Sequence, residues 1–353
     1  MKLTFRGFCL AFFLAVVPTA LASTTWYVDG VHGNDSNNCR STLTACKTIG
    51  HAISLASSGD TVSVFPATYT ENLTIGISLE VVGSGAATTI IDGGGIGTVV
   101  TVSRGFVSIS RVTIRNGKGK GAGGGINNAG KLIINNSTIS GNVVEGFSVG
   151  GGISSGGILT INGSTLSGNS AGYRGGGIYN TNTGTLRIFN STISGNSAGA
   201  TTLPGGGGGI DTLSGGMVTI NNSTISGNSA TGGGGIDGVA TLQNSIVSDN
   251  TGGNCSDPMT SSGYNLSSDG TCNFTGPGDL NNTDPKLGPL QNNGGETQTQ
   301  ALLSGSPAID AGNPSGCTDG NGKLLKTDQR GARRPDNEDS GGCDMGAYES
   351  QTD

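Results

Sequence analysis

The nine residues NSTISGNSA stand twice, letter for letter, at 190–198 and 222–230. Related copies open at Asn136, Gly163 and Asn244, so that five copies begin 27, 27, 32 and 22 residues apart. A glycine run ending in isoleucine alternates with them, at Ile126, Ile153, Ile178, Ile210 and Ile236. The uneven spacing places insertions in the glycine segments and not in the strands. Self-similarity at this period marks a chain whose units stack, because one unit cannot bury its own apolar side.

Aligned copies show three apolar columns. Leu132, Leu159, Leu186, Val218 and Ala240 form the first. Ile134, Ile161, Ile188, Ile220 and Leu242 form the second, and Ile139, Leu166, Ile193, Ile225 and Val247 the third. Alternation with period two describes a strand with one buried face. Gly, Asn, Ser and Thr crowd each unit and compete with helical hydrogen bonding, which excludes a helical solenoid. A propeller blade needs about 40 residues or more, which excludes that fold too. The reading is an all-β parallel β-helix with three short strands per turn. Asn142, Asn169, Asn196, Asn228 and Asn250 hold one position in every turn. Asparagine tolerates a left-handed corner, and its amide both donates and accepts, so these residues are expected to stack as a ladder at a corner. The N-x-S/T triplets at Asn135, Asn136, Asn190 and Asn222 match glycan acceptors, but a glycan there is expected to collide with the next turn.

The ends bound the compartment. Lys2 and Arg6 precede an apolar run from Phe8 to Val17 and the small-residue site Ala20-Leu21-Ala22, the pattern of a secretory signal peptide over 1–22. No later stretch approaches the roughly 20 apolar residues of a membrane span. Loss of two basic residues moves the formal charge from −6 to −8. Nucleic acid is therefore excluded as a partner, since phosphate backbones are held by clustered Lys and Arg. Six cysteines remain after Cys9 leaves. Neighbour pairing closes the shortest loops: Cys39–Cys46, Cys255–Cys272 and Cys317–Cys343. Ile49, Ala52, Ile53 and Ala56 follow helical spacing and predict a short helix that covers the open end of the stack. The domains expected are the signal peptide 1–22, an N-terminal cap 23–60, β-helix repeats 61–254, and a disulfide-containing tail module 255–353.

The opening WYVDGVHGNDSNNCRSTLTACKTIGHAISLASSGDTVSVFPATYTENLTI resembles that of secreted pectin-lyase-like right-handed parallel β-helix proteins. The alternating GGGI and I-S-G-N motifs are similar to the repeats of polymorphic outer-membrane proteins, with Ile in place of Phe. The segment DPKLGPLQNNGGETQTQALLSGSPAIDAG, with the later TDQRGARRP and CDMGAYE, resembles the choice-of-anchor Q type tail module of bacterial surface proteins. Together these imply a bacterial, exported, right-handed β-helix protein.

Catalytic chemistry is thin. Polygalacturonase-like relatives carry a His and an Arg-x-Lys beside their Asp cluster, but His32 and His51 lie ahead of the repeats, and no Arg-x-Lys occurs within them. His51 is read as a solvated residue on the polar side of the helix. Residues 121–250 hold only Glu145, Asp211, Asp237 and Asp249 as acids. No catalytic residue is assigned. The expected function is a non-catalytic surface or matrix protein that binds glycans or other cell-surface partners. A polysaccharide lyase or glycoside hydrolase is the alternative, and a ligand-free structural spacer the second. One column does carry chemistry. The residues after each GGGI are Asn127, Ser154, Tyr179, Asp211 and Asp237, which a solenoid must align on one face. Tyr179, Asp211 and Asp237 are the expected ligand site, beside a glycine-lined groove. The two carboxylates are the expected metal ligands for a hard cation such as calcium. Arg330, Arg333 and Arg334 lie beside Asp328 and Asp336, and internal salt bridges are expected there.

Overall fold

The structure is a computed structural model that describes residues 23–199, 206–319, 322–336 and 342–351; the expected signal peptide lies outside them. Its strands stack in parallel into three long faces, so the chain is an all-β parallel β-helix. The first face has ten strands, from Thr25–Val28 to Thr260–Ser261. The second has nine, from Ala67–Thr70 to Leu266–Ser267, and the third seven, from Leu73–Ile75 to Ile236–Asp237. A fourth, four-stranded sheet of two-residue strands runs from Lys118–Gly119 to Ser197–Ala198, which the three-strand reading of each turn did not contain. Parallel pairing also runs past the boundaries drawn at 61 and 254, because Thr25–Val28 pairs with Asp60–Val64 and Thr260–Ser261 with Thr241–Gln243.

The register carries the apolar columns. Ile139 pairs with Leu166, Leu166 with Ile193, Ile193 with Ile225 and Ile225 with Val247, and all five are wholly buried. The isoleucines that end the glycine runs pair in the same way from Ile126 to Ile236 and add a column on the third face. The helix Ile49–Leu55 packs against Thr25–Val28, Asp60–Val64 and Leu73–Ile75, with Ile49 and Ala52 buried. Glu71 accepts hydrogen bonds from the Ile49 and Gly50 amides at its N-terminus.

The asparagine ladder is present. Asn142 Nδ2 donates to Asn169 Oδ1 at 2.9 Å, Asn169 to Asn196 at 2.9 Å, Asn196 to Asn228 at 2.9 Å and Asn228 to Asn250 at 3.0 Å. It continues into Asn254, outside the repeat. The corner is made differently from the expectation. The ladder asparagines do not hold positive φ; the residue before each does, namely Gly141, Gly168, Gly195, Gly227 and Asp249. Glycine enters the left-handed region without a Cβ penalty, which frees the asparagine to turn its amide inward. A second ladder was not foreseen: the amide of Ser137 donates to Ser164 Oγ, Ser164 to Ser191, Ser191 to Ser223 and Ser223 to Ser245.

The C-terminal segment lies on the second face. Threonines that recur outward in the repeat hold it: Thr165 Oγ1 donates to Gln298 O, Thr192 Oγ1 to Gln329 Oε1, and Thr224 Oγ1 accepts from the Ala347 amide. Asn190 and Asn222, two of the possible glycan acceptors, are buried and donate to Thr327 O and Thr318 O, whereas Asn136 is exposed. Arg334 is buried against Glu349 at 2.6 Å, and Arg330 pairs with Asp328 at 2.7 Å. Arg330 follows the expected pairing with Asp328, whereas Arg334 takes Glu349, which the sequence did not offer as its partner. The three cysteine pairs are bridged as neighbours, with Cα separations of 5.0, 4.9 and 6.0 Å.

Candidate ligand site on the third face

The C-terminal segment covers the second face at Thr165, Thr192 and Thr224. On the third, strand pairing aligns Asn127, Ser154, Tyr179, Asp211 and Asp237 in one column. Thr74 and Thr101 extend it toward the N-terminus. Each residue follows a buried Ile, Leu or Val, so alternation along the strand turns its side chain away from the core.

Exposure differs sharply along this column. Asp237 keeps 22% of its side-chain surface, while Asp211 keeps none. Neither oxygen of the Asp211 carboxylate accepts a hydrogen bond from a donor group, and only the protonated carboxyl has a partner, Asp237. Burial, then the neighbouring Asp237, push its carboxyl up to about 7 against the pull of Arg174. Desolvation disfavours the charged form, and a second carboxylate adds like-charge repulsion.

Arg174 is the residue that sequence reasoning missed. Its Nη1 lies 3.6 Å from Asp211 Oδ2 and 4.0 Å from Asp237 Oδ2, with 32% of the side chain exposed. The backbone explains its reach. Arg174 O accepts from the Gly150 amide, and Gly206 O accepts from the Gly175 amide, so Gly206 takes Arg174's place one turn on, and Gly206 pairs with Gly232. A Cβ on Gly206 would overlap the Asp237 carboxylate and come within 2.6 Å of Asp211 Oδ2. The glycines thus clear the space that the guanidinium and both carboxylates share. The signal in the sequence was an arginine directly ahead of GGGI, in one turn only.

Aromatic side chains border the charges. The Arg174 guanidinium stands 5.2 Å from the Tyr173 ring centroid. Tyr173 meets Phe147 edge-on with centroids 6.4 Å apart, and Phe147 is 74% exposed. The Tyr179 hydroxyl is pushed up by burial and by the charge of Asp211. Phe147, Tyr173, Arg174, Tyr179, Asp211 and Asp237 therefore form one site, of which the column supplied three members.

A resident calcium does not fit beside this arrangement. A hard cation takes 6–8 oxygens, whereas the site offers two carboxylates and already places a guanidinium within 4.0 Å of both. His51 lies close to the Cys39 and Cys46 sulfurs, half-buried rather than on a purely polar face, but bridged sulfurs are not thiolates and do not ligate metal in that form. Among the described residues no helix is long and apolar enough to cross a membrane.

No protein-family model and no curated protein matches the chain. Among solved structures it is similar to a pectin methylesterase mutant in complex with hexasaccharide IV. The identity is 12% and the TM-score 0.35, over 70% of this chain and 80% of that one.

Proposed function

We propose that the protein is an exported, non-catalytic β-helix that binds a polysaccharide or cell-surface glycan on its third face. The observation that carries this reading is Asp211: a wholly buried carboxylate without a hydrogen-bond donor, set beside Asp237 and an Arg174 that borders the half-buried Tyr173 ring. Ligand sites on proteins combine apolar or aromatic walls with a few convergent polar groups, and on the third face both meet. Sugar rings lie on aromatic faces, and carboxylates accept their hydroxyls. Export is supported by the signal-peptide pattern and the three disulfides. The similarity of the tail to surface-protein modules supports a place at the cell surface or in the matrix.

Cleavage of a polysaccharide is the second reading, favoured by two adjacent carboxylates of which one is held partly protonated near neutral pH. Against it, Asp211 is closed to solvent and a guanidinium stands within 4.0 Å of both carboxylates. A glycan array with the mature protein, followed by assays for reducing ends and unsaturated products, separates the readings. Binding without product, weakened by Tyr173→Ala, is the expected result. Product formation supports the enzyme, and no binding at all supports a spacer.

A further inference from the structure

We infer that the glycan bound on the third face carries free ammonium groups, so that its class is an amino-sugar polymer with unsubstituted amines. The inference rests on the glycan reading above and narrows it. The site already holds a cation of the chain's own: Arg174, whose guanidinium sits between the Tyr173 ring and the two carboxylates. That cation is a poor partner. It lies 3.6 Å from Asp211 and 4.0 Å from Asp237, beyond hydrogen-bond reach, and leaves both Asp211 oxygens without a donor. A buried carboxylate without a donor is costly, and a charged N–H donor relieves it more than a neutral hydroxyl does.

A primary ammonium meets that need. It presents three N–H donors on a compact head, where the guanidinium is a wide plane. Gly206, which pairs with Gly232, has no side chain of its own to fill the space beside the two carboxylates. Asp237, partly exposed, stands at the mouth, with Asp211 behind it. Arg174, one-third exposed, is the group that gives way as the ammonium enters. Phe147 and Tyr173 supply aromatic surface for the sugar rings and, for Tyr173, a face that attracts cations. Polyuronates are disfavoured, because their carboxylates meet Asp237 and a chain of net negative formal charge.

Calorimetric titration of the mature protein with three probes tests this: a glucosamine oligomer with free amines, its fully N-acetylated counterpart, and an oligogalacturonate. We expect the free-amine oligomer to bind about tenfold tighter than the acetylated one, the scale of one charged hydrogen bond, and the oligogalacturonate not to bind. Asp237→Asn should erase that preference, whereas Tyr173→Ala should weaken both glucosamine probes equally. Arg174→Gln should tighten the free-amine oligomer, an effect that a merely structural role would not produce. Equal affinity for the acetylated and free-amine probes, or a preference for the oligogalacturonate, overturns the inference and leaves the glycan reading standing. If no glycan of any class binds, the glycan reading falls and takes this one with it. Tighter binding of a lysine oligomer than of the glucosamine oligomer overturns the assignment to a sugar.

Discussion

Asp211 shows what a repeat does to the side chain it places. In the preceding turns the same position holds Asn127, Ser154 and Tyr179, which burial costs little. A carboxylate there is stripped of water beside a second one, and its pKa rises from 3.8 to about 7. The folded state thus keeps a proton that the unfolded chain has released, so this residue destabilises the fold progressively as pH climbs through that window. Asp211→Asn should remove the effect, and its stability advantage over wild type should grow with pH from 3.8 to about 7 in urea unfolding. A constant difference across the window would show that Asp211 does not titrate there. The same geometry sets an expectation for calcium. Calcium should leave the wild-type melting temperature unchanged and raise that of Arg174→Gln, in which the competing guanidinium is gone. A calcium response in wild type that Asp237→Asn abolishes would show that the arginine yields to the metal.

The turn of the solenoid is an element closed by side-chain amides as much as by strands. Asn196 Oδ1 accepts from both the backbone and side-chain nitrogens of Asn169, while its own Nδ2 donates to Asn228 Oδ1 and Leu166 O. Removing one rung orphans groups in the turns on either side. Each buried group left without a partner costs about 1–3 kcal/mol, so Asn196→Ala should lose at least about 2 kcal/mol in denaturant unfolding. A loss below about 0.5 kcal/mol, the size of a surface substitution, would deny the ladder its role. Ile193 lies wholly buried between Leu166 and Ile225, and Ile193→Asp should unfold the stack, as read by loss of the cooperative transition.

At the scale of the molecule, the tail decides which surfaces of the solenoid meet solvent. It docks on the second face through the repeat's own threonines and through Gln329, whose amide also donates to Thr165 Oγ1 and Thr297 Oγ1. Gln329→Leu leaves Thr192, Thr165 and Thr297 without that partner. It should raise the protease sensitivity of the tail while strand content by circular dichroism persists. Equal protection of variant and wild type would show that the other docking bonds suffice. Peptide mapping without reduction should recover Cys39–Cys46, Cys255–Cys272 and Cys317–Cys343, and free thiols or cross-pairs would contradict the bridges.

Periodicity alone determined the β-helix, its core columns, the asparagine ladder and the alignment of Tyr179 with Asp211 and Asp237. All of these follow from one rule, that equivalent residues of stacked units must lie above one another. The rule is silent on residues that occur in one turn only. Arg174 stands at a repeated position as an arginine in one turn only, and Phe147 meets Tyr173, so the charge and the rings beside the carboxylates depended on side chains reaching between turns. The same holds for the tail, whose contacts with Thr165, Thr192 and Thr224 join positions more than a hundred residues apart. It holds for Asp211 itself: the sequence placed the carboxylate on an outer column, but only packing removed its water. Repeats propagate through local pairing, whereas burial and charge at a site are sums over everything that packs around it, and those sums exist only in the folded chain.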